Sequence, residues 1–137
     1  MSQENVEIVR GIYDALARGD FRSTLDLYDP HVVFLQRDDS NVFGADIEGV
    51  YWGLAGLKVY MRKFLDAWSS ATIEASEITE AGDSIVAAIA MRMVGRESGV
   101  PVEGRYFHVW TFRGGAVIRL DVLPERKQAL EAVGLSE

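Results

Sequence analysis

The sequence predicts an α+β fold in which helices pack on one face of a strongly curved sheet and shape it into a cone. Helix-period patterns dominate the first half of the chain, and long strand patterns follow one another in the second half. Residues 104–122 read as a hairpin, because two alternating runs meet at Gly114-Gly115 and glycine pairs adopt the positive φ angles of tight hairpin turns. We therefore expect residues 1–137 to form one domain whose open end can hold a small molecule.

Two helices are expected at the start of the chain. Ser2 can cap the first helix, and Gly19 ends it. Its apolar residues recur at helical spacing at Val6, Val9, Tyr13 and Leu16. Asp20 caps a second, short helix, which Asp29-Pro30 stops. The buried candidates of that short helix are Leu25 and Leu27.

Two short strands and a long connection come next. Residues 31–36 read as a strand and residues 50–52 as a brief extended segment. Residues 37–49 between them are rich in loop formers, and a loop this long is more often functional or mobile than decorative. No histidine lies at ligand spacing from its carboxylates, so we read them as solvated rather than as acid/base or metal pairs. These carboxylates are Asp38, Asp39, Asp46 and Glu48.

The clearest helical pattern is one broad apolar stripe over residues 57–68. Its members are Leu57, Tyr60, Met61, Phe64, Leu65 and Trp68. Strands are expected over residues 72–80 and 84–94, and alternation places Met91 and Val86 on opposite faces of the second. The hairpin follows, and Pro124 then opens a last short helix that Gly134 closes.

Composition and charge exclude several classes of function. The chain is 48% hydrophobic and 26% charged, which is ordinary for a globular domain. It has no cysteine, so thiol catalysis, disulfides and cysteine-based metal sites are excluded. A net charge of −7 argues against nucleic-acid and anionic-membrane partners, which need basic patches. The polar N-terminus has no basic-then-apolar signal, and no apolar run approaches a membrane span, so we expect a cytoplasmic protein.

The first strand of the hairpin carries the residue of greatest chemical interest, His108. Tyr106, His108, Trp110 and Phe112 share one face of this strand because side chains alternate. A phenol, an imidazole and an indole in register suggest the wall of an apolar cavity that contains a few polar groups. His108 could donate a hydrogen bond to a ligand carbonyl or act as an acid/base near neutral pH. The alternative is a core histidine bonded to Tyr106 or to the backbone.

Other side chains are candidates for the same wall, with ordinary core packing as the alternative for most of them. Trp52, next to Gly53, could instead cover the cavity mouth or an interface. The ligand-binding candidates are Tyr13, Trp52, Tyr60, Phe64, Met91, Tyr106 and Trp110. His31 begins a strand after Pro30, and we expect it at the surface. The sequence has no metal-ligand spacing, phosphate loop or nucleophile elbow, so we expect neither a metal nor a cofactor.

Several short segments, in order along nearly the whole chain, carry a family resemblance. They are residues 3–10 with Tyr13, 19–20, 27–32, 49–53, 81–83, 108–115 and 129–135. This set resembles a SnoaL-like protein of the nuclear transport factor 2-like superfamily, the cone-shaped fold shared by ketosteroid isomerases, polyketide cyclases, limonene epoxide hydrolases and scytalone dehydratase. The resemblance implies a fold rather than an activity, because this fold hosts many chemistries and some members catalyse nothing.

Most catalytic residues of that superfamily have no counterpart here. The general-base aspartate of the isomerases aligns with Leu35, which cannot move a proton. The late aspartate of the cyclases and epoxide hydrolases aligns with Val122, while Asp121 lies one residue off and hence on the opposite face. In the isomerase oxyanion hole, the acid aligns with His108 and the tyrosine with Ile12. One polar position is therefore kept, with a changed residue.

Two functions follow from this pattern. The first is an enzyme acting on a small apolar carbonyl or polycyclic compound, with His108 as proton carrier or hydrogen-bond donor. The second is a non-catalytic dimer that binds a small apolar molecule. The missing aspartates favour the second, and the polar position at His108 favours the first. The resemblance also implies a homodimer packed through the outer sheet face, whose residues are Val86, Ala88, Ala90, Arg105, Phe107 and Val109.

Overall fold

The computed structural model describes residues 2–37 and 49–135. Within these ranges the chain forms three α-helices, one 3-10 turn and a curved six-stranded sheet, which confirms the predicted α+β class. The carboxylates expected in the long loop, Asp38, Asp39, Asp46 and Glu48, lie outside the described residues.

The helices are α1 (Ser2–Ala17), α2 (Gly53–Ala67) and α3 (Arg126–Ala132). The apolar stripes predicted for α1 and α2 face inward, as the burial of Val9 and Phe64 shows. The expected second helix is only a 3-10 turn over Leu25–Leu27, whose leucines are half-buried rather than buried. Trp68 was expected to end the stripe of α2 but begins the next strand, where its side chain is buried all the same.

The strands are β1 (Tyr28–Gln36), β2 (Gly49–Trp52), β3 (Trp68–Ala81), β4 (Ser84–Gly95), β5 (Pro101–Arg113) and β6 (Ala116–Leu123). Their order in the sheet is β2-β1-β6-β5-β4-β3, with β1 parallel to β6 and all other pairs antiparallel. β1 begins at Tyr28, earlier than predicted, and contains Pro30. The register between β1 and β6 shifts between Tyr28 and Val33, so Pro30 lies where the ladder is interrupted and its missing N–H breaks no regular pairing.

The hairpin of β5 and β6 is confirmed. Arg113 pairs with Ala116 across the turn. Gly114 and Gly115 both have positive φ, at 58° and 82°, as a two-residue turn of the primed type requires. The turn sets the first pairs of the two strands, and a register shift between Thr111 and Phe112 then moves the pairing by one residue. Beyond this shift His108 pairs with Val122 on the concave face.

The two faces of the sheet are covered by different elements. The concave face, α1 and α2 enclose the main core, which includes Ile85, Met91 and Trp110. On the convex face α3 packs against β4, β5 and β6 and forms a second cluster of Val86, Val109, Leu123 and Ala129. Part of the convex face expected to meet a partner copy is thus covered by the chain's own C-terminal helix.

Among the helices in the described residues, none combines the length and the apolar character that crossing a membrane requires.

Candidate functional site

A small apolar cavity lies between the concave face of the sheet and α2, near the end of α1. Its volume is about 60 Å³. Its polar side chains are few: Tyr28, Tyr60, His108 and Trp110. The apolar part of the wall consists of Leu16, Phe21, Phe34, Leu57, Met61, Phe64, Leu65, Ile73, Met91, Leu120 and Val122. Among the described residues, the lining holds no carboxylate and no fixed cation, so a bound molecule would meet apolar surface and neutral polar groups there.

A chain of buried hydrogen bonds runs behind this wall. The indole Nε1–H of Trp110 donates to the hydroxyl of Tyr13 over 2.8 Å. The same hydroxyl lies 2.7 Å from Nδ1 of His108, and the two rings are parallel to within 3°. Alternation along β5 places His108 and Trp110 on the concave face, and α1 supplies Tyr13 from the other end of the chain.

This chain of bonds fixes the tautomer of His108. An indole N–H can only donate, so the oxygen of Tyr13 accepts from Trp110. The hydroxyl hydrogen of Tyr13 has no other acceptor among the described residues, so it donates to Nδ1. Nδ1 is therefore the unprotonated nitrogen of His108, and the ring carries its hydrogen on Nε2. No described residue bonds to Nε2, and His108 lines the cavity, so Nε2–H is the donor that the ring can offer to a ligand.

Burial keeps both partners of this bond neutral. Removal from water lowers the pKa of His108 to about 3, because a charged imidazole is costly in an apolar site. Burial likewise raises the pKa of the Tyr13 hydroxyl well above its usual value, although the hydrogen bond from Trp110 partly opposes this. Near neutral pH the pair is therefore an uncharged hydrogen-bonded unit rather than a proton-transfer couple.

Tyr28 is a polar side chain of the wall that the sequence did not single out. It lies at the start of β1, is 92% removed from solvent, and packs its ring 6.3 Å from that of Trp110. Burial raises the pKa of its hydroxyl. Among residues 2–37 and 49–135, no group forms a hydrogen bond with that hydroxyl.

A second polar pair lies at the end of β1. Gln36 is fully buried, and its Oε1 accepts a hydrogen bond from the hydroxyl of Tyr60 over 3.0 Å. Its Nε2 donates to the carbonyl of Arg37 over 3.3 Å. Gln36 pairs with Val122, which in turn pairs with His108, so the two buried polar groups share one line across the sheet with an apolar residue between them.

The structure brings together most of the predicted site. His108, Tyr60, Phe64, Met91 and Trp110 line the cavity. The other candidates occupy different places: Tyr13 lies behind the wall and is bonded to His108, Tyr106 is buried within the core, and Trp52 is 70% exposed. None of these three is part of the lining. His31 is exposed, as predicted.

The structure also shows where the positions aligned with the superfamily's catalytic aspartates lie. Val122 lines the cavity as an apolar residue. Asp121 faces the convex side as predicted, where Arg119 holds its carboxylate at 2.9 Å. Leu35 pairs with Asp121 and faces the same side, so the inward-facing positions at this end of β1 are Phe34 and Gln36. Within the described residues, no group of three or more histidines or carboxylates is arranged to hold a metal ion.

Several lining residues were missed because no short pattern distinguishes them from core. Leu65 and Met61 belong to the predicted stripe of α2, but the stripe does not reveal which of its members border empty space. Phe21 lies in a connection without periodicity. The sequence pattern predicts that Tyr28 ends a short helix. A strand that begins at Tyr28, with this side chain facing inward, would have indicated that the residue belongs to the cavity wall.

An α+β cone with a cavity between its helices and a curved mixed sheet defines the class of NTF2-like proteins. Residues 9–120 match the SnoaL-like domain family, so the chain belongs to that family. No curated protein matches the chain significantly.

Solved structures of similar fold support this class. An NTF2-like protein of unknown function from Burkholderia pseudomallei superposes with a TM-score of 0.78 at 20% identity, covering 96% of this chain and 98% of its own. TerC, co-crystallised with polyporic acid, superposes with a TM-score of 0.77 at 19% identity, covering 95% of this chain and 97% of its own. A protein with a ketosteroid isomerase-like fold from Catenulispora acidiphila, in complex with trimethylamine, superposes with a TM-score of 0.72 at 12% identity. The match covers 94% of this chain and 93% of that protein's chain. At these identities the likeness establishes the fold alone.

Proposed function

We propose that this SnoaL-like domain binds a small, largely apolar molecule through one oxygen acceptor, to which His108 donates from Nε2. The observation that carries the proposal is the bond from Tyr13 to Nδ1, which leaves Nε2–H as the free donor of the ring at the cavity. A donor held in one orientation loses little entropy on binding, so the contact favours ligands with a matching acceptor.

The size of the cavity restricts the ligand. At about 60 Å³ it is smaller than the engineered cavity of about 150 Å³ that holds benzene. A monocyclic compound about the size of benzene therefore already requires some adjustment of the wall, and a polycyclic one would have to displace many more side chains. Met61 and Met91 line the wall and are the residues that adapt most readily to a larger guest.

The same contact would support catalysis only of a certain kind. A neutral imidazole can polarise a carbonyl by donating a hydrogen bond, but with a pKa of about 3 His108 is almost never an imidazolium near pH 7. Relay of a proton from Tyr13 would leave a buried tyrosinate, which the raised pKa of that hydroxyl opposes. In an enzyme, His108 would thus be an electrophile, and the base would be another group.

The solved relatives support ligand binding by this fold. TerC was co-crystallised with polyporic acid and the Catenulispora protein is in complex with trimethylamine, so proteins of this shape hold small organic molecules. Their ligands differ, which is why the chemistry of the present cavity has to decide the ligand class.

The test compares two probes of similar shape, cyclopentanone and methylenecyclopentane, by ligand-observed NMR titration. The first carries an oxygen acceptor and the second carries a methylene group in its place. We expect the wild-type protein to prefer the ketone and His108→Leu to lose that preference while still binding the alkene. His31→Leu, at the exposed second histidine, is the matched control. Equal affinity of the wild type for both probes would refute the proposal.

We also propose that the chain forms a homodimer through the part of the convex face that α3 leaves open. Across β3, β4 and β5, Glu74 pairs with Ala90 and Ala90 with Arg105. A two-fold axis lying along β4 would place Glu74 of one copy opposite Arg105 of the other, a self-complementary arrangement. Because the open strip is short, we expect a weak dimer that dissociates on dilution.

Analytical ultracentrifugation over a concentration series tests the dimer. Arg105→Glu should shift the protein to monomer, and the charge exchange in Glu74→Arg/Arg105→Glu should restore association. Arg113→Glu, at the far end of the same strand, is the control. A wild-type protein that stays monomeric at the highest concentration, or a double variant no better than the single, would overturn the arrangement.

A further inference from the structure

We infer that Tyr28 is a second hydrogen-bond donor of the cavity, so that with His108 it selects a ligand whose carbonyl oxygen accepts two hydrogen bonds. The inference rests on the proposed function, because it names the ligand class and a further specificity-determining residue of the same site.

The first observation is an unpaired hydroxyl in a site where neighbouring polar groups are paired. Trp110 and Tyr13 are joined by a hydrogen bond, and Tyr60 donates to Gln36. The hydroxyl of Tyr28 has no such partner in the described parts of the chain, although the residue is 92% buried. In the described residues the side-chain atoms that are both enclosed and unpaired are Oδ1 of Asn5 and Nε1 of Trp68. The unpaired hydroxyl of Tyr28 thus keeps accessible surface, through which it can meet a guest of the cavity that Tyr28 lines.

The second observation is the position of Tyr28 relative to His108. Both residues line the same cavity, and its volume of about 60 Å³ leaves a guest little freedom to approach one without the other. The ring of Tyr28 lies 6.3 Å from that of Trp110, which in turn lies 5.7 Å from that of His108. Both donors therefore belong to residues whose rings lie beside Trp110 on the same wall.

The chemistry of the two donors defines the ligand. Nε2–H of His108 and the hydroxyl of Tyr28 are both neutral, and no lining residue in ranges 2–37 and 49–135 is a cation that could attract a carboxylate or phosphate. A carbonyl oxygen has two lone pairs and can accept from both donors at once. Its apolar remainder would then pack on the aliphatic part of the wall, as in a small ketone or aldehyde.

The test is the preference for cyclopentanone over methylenecyclopentane, measured by NMR titration in Tyr28→Phe. This substitution removes only the hydroxyl, and loss of one hydrogen bond should reduce ketone affinity about fivefold with alkene affinity unchanged. Tyr51→Phe is the control, because it removes a hydroxyl from a buried tyrosine that is not part of the cavity lining. It should leave the preference intact. Thermal unfolding of each variant confirms that it is folded.

The outcomes separate this inference from the proposed function. A preference that is lost in His108→Leu but kept in Tyr28→Phe would overturn the role of Tyr28 and leave that of His108. No preference in the wild type would overturn both. Should Tyr28→Phe fail to fold, the wild type decides: intermolecular NOEs between the ring protons of Tyr28 and bound cyclopentanone support the inference, and their absence refutes it.

Discussion

The two faces of the sheet differ in how they handle polar groups, although the same strands supply both. On the concave face the polar side chains are neutral and joined in a chain from Trp110 through Tyr13 to His108. On the convex face they are charged, as in the pair of Arg119 and Asp121, in which the arginine is half-exposed. The difference teaches that alternation along a strand decides the side, and the solvation of that side decides which polar chemistry survives there.

The pairing of β5 with β6 places concave-side and convex-side residues next to each other along the same two strands. His108 pairs with Val122 on the concave side, and the next residue of each strand, Val109 and Asp121, forms a pair on the convex side. Asp121 is buried in this arrangement, and Arg119 reaches its carboxylate with a bidentate contact. No described residue of the cavity wall supplies a carboxylate that would stabilise a charged imidazole, and burial keeps the ring of His108 neutral.

The largest expected difference between the faces is one of packing. Phe112 and Phe107 lie on β5, the first buried in the main core and the second half-buried on the convex side. We expect Phe112→Ala to lower the free energy of unfolding by about 3–5 kcal/mol, the usual cost of emptying a buried aromatic site. Phe107→Ala should cost about 1–2 kcal/mol, since less surface is lost. Urea unfolding of both variants gives the comparison, and similar costs would contradict it.

The next effect is acid sensitivity on the concave side. Burial holds the pKa of His108 at about 3 in the folded protein, below the ordinary value of about 6.5 expected when unfolded. Between these values only the unfolded state binds the proton, so stability is lost as the pH falls. His108→Asn removes the titration but keeps an acceptor for Tyr13.

The variant should therefore lose less stability than the wild type between pH 7 and pH 4.5, by about 3 kcal/mol. Urea unfolding at a series of pH values measures the difference, and His31→Asn controls for loss of a histidine as such. Parallel pH profiles of wild type and His108→Asn would contradict a neutral buried imidazole.

A smaller effect should follow from cutting the chain of hydrogen bonds. Tyr13→Phe leaves Nε1 of Trp110 and Nδ1 of His108 without their partner, and we expect a loss of about 2 kcal/mol. It also removes the bond that fixes the tautomer, so ¹⁵N NMR of labelled histidine should show the Nε2–H form giving way to a mixture. A spectrum unchanged from wild type would mean that another group fixes the ring.

The smallest effect is expected on the convex side. Arg126 of α3 contacts the ring of Phe107 at 5.1 Å and pairs with Glu77 at 3.1 Å, but both charged side chains are largely exposed. Solvent screens such pairs, so Arg126→Ala should cost less than about 1 kcal/mol. Thermal unfolding at low and high salt checks this. A loss as large as that of Tyr13→Phe would show that α3 depends on this one contact.

Local patterns were sufficient for most of the fold. Alternation in β4 and β5 predicted which residues face inward, and Gly114-Gly115 predicted the hairpin turn that the positive φ angles confirm. Periodicity of 3.6 residues predicted the inward stripe of α2. Predictions were wrong at element boundaries. Trp68 continues the helical spacing of α2 yet begins β3, because one residue can fit both the helical and the strand period where the two elements meet.

The candidate site was predicted only in part. His108 was indicated by its aromatic neighbours on one strand face, which is information contained in a few consecutive residues. Its partner Tyr13 lies 95 residues away, and the bond between them follows from how α1 packs against the sheet. Trp52 resembled the other aromatic candidates in sequence but is exposed, because β2 is an edge strand and the residue points away from the core.

The sequence by itself determined the α+β class, the hairpin and the sidedness of the late strands, because each depends on spacing between near neighbours. Tertiary structure alone decided the tautomer of His108, the inward position of Tyr28 and the covering of the convex face by α3. These features depend on the parallel pairing of β1 with β6 and on the docking of both terminal helices. No local period encodes such contacts, since they join segments that meet only when the whole sheet has closed.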